Sequence, residues 1–372
     1  MRKTIKSPSI LSIDTSCDET SAAITQGLTV LSNVVWSQSK IHAKFGGVVP
    51  SVARRQHERK ISWVVERAVN TAKIQYKNLD AVSVTVGPGL AIALGVGINF
   101  AKNLAIRYQI PIIAVNHLDA HLMGVFAQAN KNNNQSGLTS NNAANLLMPD
   151  NRLKHPAFGI VVSGGNTLLV QIEAIGKYEV VAQTIDDALG ESLDKSARLL
   201  GFGYPGGAVL EKFAKKGNPN KYHLPLPLLG REDEGIYSYS GIKTAFNRLV
   251  TSLTERKILT RQQINDLAST YQKVAFDHFF RISKKTIIKN LSNETSYLLA
   301  GGGVAANVDF RKRVRTMCKK LKVVPVFSYN KKLYGDNAAM VGISAYFKFL
   351  KKEFSNPENI DRLPNLKIDQ AM

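Results

Sequence analysis

Ser9-Ile10-Leu11-Ser12-Ile13-Asp14-Thr15-Ser16-Cys17-Asp18-Glu19-Thr20-Ser21-Ala22-Ala23-Ile24-Thr25 decides how this chain folds. Ser9 to Asp14 reads as a short apolar strand, Thr15 to Thr20 as a turn crowded with small and hydrogen-bonding side chains, and Ser21 to Thr25 as a second strand. The pattern returns about 150 residues further on: strand Phe158 to Val162, turn Ser163-Gly164-Gly165-Asn166-Thr167, strand Leu168 to Ile172. Two copies of strand, small-residue turn, strand imply a duplicated architecture.

Outward from the first hairpin, a helical stretch runs from about Val52 to Ala72, then a strand from Ala81 to Val86 and the turn Gly87-Pro88-Gly89. A helix from about Leu90 to Tyr108 and a strand from Ile112 to Val115 follow. Strands alternating with helices predict an α/β layer whose sheet is largely covered. The second half holds the acidic cluster Asp186-Asp187-Ala188-Leu189-Gly190-Glu191-Ser192-Leu193-Asp194-Lys195 and Gly203-Tyr204-Pro205-Gly206-Gly207. It continues with a long helix from Thr260 to Asn290, a strand Ser296 to Leu299, and a small-residue turn from Ala300 to Asn307 that opens a helix. After a strand from Lys322 to Val326, Tyr334-Gly335-Asp336-Asn337-Ala338-Ala339-Met340 begins a last apolar helix, expected to pack back against the first lobe. The expected division is a first lobe of 1–127 plus 330–372, an Asn-rich insertion at 128–155, and a second lobe at 156–329.

The chemistry centres on Asn116-His117-Leu118-Asp119-Ala120-His121-Leu122. On a helix, His117 and His121 project from one face a turn apart, within reach of one metal ion. Two ligands do not hold a metal firmly, so a third group must come from elsewhere, and Asp336 is the candidate. Backbone amides bared by glycine at the Ser163 to Asn166 and Gly301 to Gly303 turns suit a phosphate or the close approach of a nucleoside. Each acid of the 186–194 cluster by itself reads equally well as a helix cap.

The chain of 372 residues carries 49 Lys and Arg against 28 Asp and Glu, a charge of +21 that calls for a polyanionic partner: RNA, DNA or an anionic membrane. No apolar run of about 18 residues exists, which excludes a spanning helix. Cys17 and Cys318 are too few for a disulfide framework or a Cys-rich metal site, and a reducing compartment fits. The start, Met1-Arg2-Lys3-Thr4-Ile5-Lys6-Ser7, has no acid before Asp14 and no secretory core; a trimmed transit peptide and an ordinary ragged start both fit it. Arg311-Lys312-Arg313-Val314-Arg315 with Lys319, Lys320 and Lys322 is the densest basic patch, and Arg54, Arg55, Arg59 and Lys60 form a second.

Taken together, these stretches resemble one family, the universal tRNA N6-adenosine threonylcarbamoyltransferases, formerly described as glycoproteases or O-sialoglycoprotein endopeptidases. The resemblance rests on Asp14 to Thr20, Phe45-Gly46-Gly47-Val48-Val49-Pro50, Gly87-Pro88-Gly89, the His117/His121 pair, Val162 to Thr167 and Asp194-Lys195. It continues through Tyr204 to Gly207, Tyr239-Ser240-Gly241-Ile242-Lys243-Thr244, Gly302 to Asn307 and Asp336 to Met340, and spans about residues 9 to 350. It implies the two-lobed fold of actin, hexokinase and the heat-shock chaperone ATPases, with a duplicated core and a nucleotide in the interlobe cleft. The implied activity moves threonylcarbamoyl from threonylcarbamoyl-adenylate, supplied by a separate synthase, to N6 of adenosine 37 in tRNAs reading ANN codons, releasing AMP. It further implies one divalent metal per subunit, zinc or iron, on His117, His121 and Asp336. Val162, Ser163, Gly164, Gly165, Asn166, Asp194, Gly207 and Asn307 are implied to hold the donor.

Asp18 and Glu19 are the candidate catalytic residues, in contact with the threonyl end or in proton transfer. For tRNA the candidates are Arg311, Lys312, Arg313 and Arg315 with Arg54 and Arg55. Charge and the basic start favour the mitochondrial member of the family, a self-sufficient homodimer of the matrix, with a cytoplasmic location as the alternative. The sequence departs from the family pattern at Asp119, where Glu is common, at Ser51, at Tyr239 in place of Phe, and in the insertion after Gln128. A metalloprotease lacks the Glu after the first His that such enzymes use as base. A non-catalytic nucleotide-binding scaffold and a small-molecule kinase are the other rivals on this fold.

Overall fold

The structure is a computed structural model that describes residues 7–130, 143, 146–154, 156–255, 258–291 and 296–370. Of the expected insertion, 131–142, 144, 145 and 155 lie outside the described residues, as do positions 1–6 of the basic start.

Twelve strands among the described residues build two six-stranded sheets. The first contains β1 (Ser9–Asp14), β2 (Glu19–Gln26), β3 (Thr29–Ser37), β4 (Ala81–Gly87), β5 (Ile112–Asn116) and β6 (Gln128–Ala129) in the order β5-β4-β1-β2-β3-β6. The second contains β7 (Ala157–Val162), β8 (Thr167–Ala174), β9 (Lys177–Thr184), β10 (Ile236–Tyr237), β11 (Tyr297–Gly301) and β12 (Val324–Phe327) in the order β12-β11-β7-β8-β9-β10. In each, the first three strands pair antiparallel as a meander and the next two long strands add in parallel on the other side. Five strands therefore match one for one. A two-residue strand completes the corresponding edge of each sheet from a different point in the chain.

The helices are α1 (Ser39–His42), α2 (Pro50–Ala72), α3 (Ala91–Tyr108), α4 (His117–Met123), α5 (Leu189–Leu199), α6 (Gly207–Ala214), α7 (Ser240–Thr254), α8 (Arg261–Asn290), α9 (Val308–Leu321) and α10 (Ala338–Leu350). Local chemistry sets their limits. Pro50 opens α2 where a missing N–H costs nothing, Thr260 and Gln263 form a capping box at α8, and Asn307 and Asn337 cap α9 and α10.

Alternation along β1 shows how the layers stack. Leu11 and Ile13 face a core shared with α2 and α3, whereas Ile10 faces a core shared with α4, α10 and the second sheet. Phe158 and Ile160 of β7 face a third core filled from α5 to α9. The order is helices, sheet, helices, sheet, helices. As expected, α10 packs against β1 and β2 of the first sheet, so closely that a Cβ on Gly342 would stand 2.8 Å from Ser12 Oγ.

Boundaries shift from the expected ones. Glu19 and Thr20 belong to β2 and not to the turn, β11 and β12 begin one and two residues late, and Lys322 is the left-handed residue that ends α9. β3 and β9, unforeseen, are half-exposed strands interrupted by polar side chains, which blunts their alternation.

Asp119 ties the two middle-layer helices to each other and to the second sheet. Buried on α4, it accepts hydrogen bonds from Tyr178 Oη on β9 and from Ser344 Oγ on α10. Burial raises its pKa while those two donors lower it. Replacing it leaves two buried hydroxyls without an acceptor, at about 1–3 kcal/mol each. Asp119→Ala is therefore expected to lower the unfolding midpoint by several degrees, measured by circular dichroism, with Asp119→Glu retaining part of the loss.

Candidate metal centre and interlobe cleft

Three chain segments meet at one point. β1 ends on Asp14, β5 ends on Asn116 and feeds α4, and the loop after β12 delivers Asp336 immediately before α10. Asn116 starts α4 by accepting from the N–H groups of Leu118 and Asp119, and its own amide donates to Lys367 O. Asn337 holds its neighbour Asp336 by donating to Leu333 O and Gly335 O while capping α10.

The imidazoles of His117 and His121 lie 4.6 Å apart between centroids at 73°. Asp336 Oδ1 stands 3.5 Å from His117 Nε2 and 3.3 Å from His121 Nε2. All three candidate ligand atoms fall within 4.8 Å of one another. Edges of a tetrahedron built on metal–ligand bonds of about 2.1 Å measure about 3.4 Å, so these separations suit one cation. Buried His121 Nδ1 and Nε2, His117 Nδ1 and Asp14 Oδ1 make no hydrogen bond within the protein. Buried polar atoms are ordinarily satisfied, and this cluster of orphans on a two-imidazole, one-carboxylate set fits a divalent ion such as zinc or iron.

Electrostatics agree. Burial lowers the His117 pKa, but Asp336 and then Asp14 outweigh it and push the ring up to about 10. Burial lowers His121, and Asp336 only partly offsets it. Burial would raise Asp336, yet the two imidazoles hold its carboxyl well below the usual range. Protein alone thus keeps one positive charge here as a proton on His117, the charge a cation would replace.

The first hairpin turn reaches the same place. Asp18 and Asp336 both act on Glu19, whose pKa is raised well above the usual value, first by burial and then by these charges. Burial and Asp18 likewise keep Cys17 a thiol. From the second lobe, Tyr204 and Asp194 lie close enough to feel the charge of Asp18, so the two lobes face one another across this cleft. The Ser163 to Asn166 turn closes on itself through Ser163 N donating to Asn166 O and Asn166 N to Ser163 Oγ, leaving Gly164 and Gly165 exposed over open space. Val162 is buried beneath it, against Gly302, whose φ of +89° and 2.4 Å gap from an added Cβ to Val162 O admit glycine alone. Asp194 Oδ1 accepts from the N–H groups of Gly206 and Gly207, and Asn307 caps α9 and donates to Gln272. Gly207 and Asn307 therefore spend these groups inside the protein.

Sequence reasoning passed over Asp14, fully buried with Oδ1 3.7 Å from His117 Nδ1, as a carboxylate behind a ligand imidazole. An acid ending an apolar strand was the available signal. It also missed His57, which accepts from Thr20 Oγ1 and donates to Cys17 O, and so fixes the turn that carries Asp18 into β2. Burial lowers His57 and keeps it neutral, as this bonding requires. The acids at 186 and 187 are structural: Asp186 accepts from Ser238, Tyr239 and Ser240, and Asp187 pairs with Lys195 and Lys243.

Among the basic candidates, Arg311 donates to Ala305 O and Ala306 O and lies over Tyr334, Arg313 pairs with Asp277 and Asp309, and Arg315 lies over Phe327. Lys312 and Arg55 are exposed, and Arg54 makes one exposed pair with Glu58. Among the described residues no helix is long and apolar enough to cross a membrane.

The model of the family described as tRNA N6-adenosine threonylcarbamoyltransferase matches residues 29–139 and 138–343. A protein of that name from Caldicellulosiruptor saccharolyticus is 40% identical over 352 residues, covering 93% of this chain and 95% of its own. One from Clostridium kluyveri is 40% identical over 368 residues, at 97% and 98% coverage. One from Pelagibacter ubique is 37% identical over 359 residues, at 94% and 92%. Among solved structures, HypF of T. kodakarensis superposes with a TM-score of 0.55 at 15% identity over 94% of this chain and 48% of its own. Component A of the Acidaminococcus fermentans (R)-2-hydroxyglutaryl-CoA dehydratase does so with 0.51 at 13% identity, over 92% and 99%. These likenesses establish the expected two-lobed ATPase-type fold.

Gly301 offers a test of the metal centre that touches no proposed ligand. A Cβ there would stand 2.3 Å from His121 O, so Gly301→Ala must push α4 away from β11. Such overpacking costs about 1–3 kcal/mol. The variant is expected to remain folded by circular dichroism and to retain less zinc or iron by elemental analysis after dialysis than the wild type.

Proposed function

The chain belongs to the tRNA N6-adenosine threonylcarbamoyltransferases, and from that premise we propose how its cleft performs the transfer. The enzyme moves a threonylcarbamoyl group to N6 of an adenosine in tRNA. In our reading the donor is threonylcarbamoyl-adenylate from a separate synthase and the acceptor is adenosine 37 of tRNAs reading ANN codons. A bond forms between N6 and the carbamoyl carbon, the bond from that carbon to the phosphate oxygen breaks, AMP leaves, and one N6 proton is lost. The observation that carries this reading is the cluster of buried His117 and His121 with half-buried Asp336, beside Asp18 and Glu19.

His117, His121 and Asp336 would hold a divalent ion, which when bound supplies Lewis-acid polarisation of a donor oxygen. N6 is a poor nucleophile because its lone pair is delocalised into the ring, so the protein's task is to orient the donor and manage one proton. The exposed amides of Gly164 and Gly165 suit the adenylate phosphate, with Ser163 and Asn166 shaping the turn and Val162 anchoring it. Asp194, fixed by two backbone N–H groups, keeps its other oxygen for a ribose hydroxyl. Glu19, accepting from Ser37 and favouring its protonated form, is the member of the Asp18–Glu19 pair suited to exchange the N6 proton, which leaves Asp18 for the threonyl end. The charge of +21 supports tRNA as partner.

The deciding experiment combines purified chain, threonylcarbamoyl-adenylate and unmodified tRNA without other proteins and measures the modified nucleoside by mass spectrometry. His117→Ala and Asp336→Ala are expected to lose product by more than the about 100-fold that an outer-shell partner already costs. Product at the wild-type rate would remove the cluster from the mechanism. If Glu19 must be deprotonated to take the N6 proton, kcat/KM falls on the acid side at a pH above the ordinary carboxylate range, because its pKa is raised. That limb should vanish in Glu19→Gln, and its persistence assigns the proton elsewhere.

A further inference from the structure

Within the basic stretch Arg311 and Arg313 are engaged inside the protein and exposed Arg315 lies over Phe327, while lysines from two helices stand free on the surface. A groove of about 270 Å³ runs between α8 and α9, with Lys284 on one wall, Lys312 and Lys320 on the other, and Phe280 and Met317 at its floor. Its two remaining charged residues cancel: Arg313 Nε binds Asp309 at 2.9 Å, and Arg313 Nη1 binds Asp277 at 2.6 Å. Lys284, Lys312 and Lys320 are exposed and pair with no carboxylate among the described residues, so the groove presents three uncompensated positive charges over an apolar base.

Position gives these charges a meaning. α9 starts at Asn307, on the glycine turn that borders the cleft, and carries the lysines away from it. At 1.5 Å per residue, Lys312 lies about 7.5 Å and Lys320 about 20 Å along the axis from Asn307, a span longer than one phosphate. One turn beyond Lys284 on α8, Ile288 is 50% exposed, extending the apolar strip at helical spacing. Lysine is a point charge without the planar fork of arginine, suited to a backbone read for charge and not for base sequence. An aromatic floor between such lysines suits a ribose or base that has left its stack.

We infer that the α8–α9 groove, walled by Lys284, Lys312 and Lys320, holds the phosphodiester backbone of the tRNA whose adenosine enters the cleft. This rests on the transferase reading above and names the surface that reading leaves open. The groove acts on affinity alone, because none of the residues proposed for the donor or the metal lines it.

The test compares wild-type chain with a Lys284→Ala/Lys312→Ala/Lys320→Ala variant, and with a control carrying Lys77→Ala/Lys154→Ala/Lys216→Ala elsewhere on the surface. Fluorescence anisotropy with unmodified tRNA across a salt series gives Kd and its salt slope, and the nucleoside assay gives KM and kcat. The groove variant is expected to raise Kd and KM for tRNA at least tenfold, to lower the salt slope by about 2, and to keep kcat at saturating tRNA. The control is expected to shift Kd less than threefold, and Lys→Arg at all three groove positions to restore binding. Unchanged KM and slope in the groove variant, with an active wild type, overturn the inference. An equal loss in the control also overturns it, by reducing the effect to overall charge. A wild type that makes no product overturns the transferase reading itself, a result separable from either.

Discussion

A seven-residue helix, α4, is buried on every side between two sheets, and the rest of the site depends on that confinement. So short a helix has little stability of its own in water, and its geometry is set by what presses on it. On one face β11 approaches so closely that only glycine fits at Gly301, which fixes how far His121 can move. On the other, Asp119 is gripped by hydroxyls from β9 and α10. The two imidazoles are therefore held by packing and not by their own hydrogen bonds, which leaves their nitrogens with lone pairs to offer. A ligand pair must be rigid in position and unsatisfied in bonding at once, and a fully buried, doubly clamped helix meets both demands.

Charge is distributed by the same logic. In the cleft, carboxylates from three segments crowd a small volume, and burial together with mutual repulsion keeps Glu19 inclined to hold its proton. Outside it the balance reverses, and +21 over the chain leaves the surface strongly positive. A polyanion is drawn to the exterior, whereas the interior is built to gather cations and protons.

Most of the architecture was legible because it is local. Alternation in Ser9 to Asp14 and Phe158 to Val162, the turns between, and the four-residue spacing of His117 and His121 are properties of neighbouring residues. What escaped reading depends on partners far away in the chain. β9 loses its alternation at a bulge around Val181, and β6 and β10 are two residues long, too short for any period to register. That Arg313 is spent on Asp277 while Lys284 is free follows from how α8 lies on α9, which no spacing within either helix contains. Asp14 read as the polar end of an apolar strand and became the carboxylate behind an imidazole only when β5 was laid two strands away.

The matched topology of the two sheets has a consequence for how the centre is divided. β5 and β12 occupy equivalent places, and the helix after each, α4 and α10, enters the same middle layer. One copy contributes the nitrogen donors and the other the oxygen donor. Neither repeat by itself owns a complete chelate. The centre is composite, and its integrity rests on the distance kept between these two junctions.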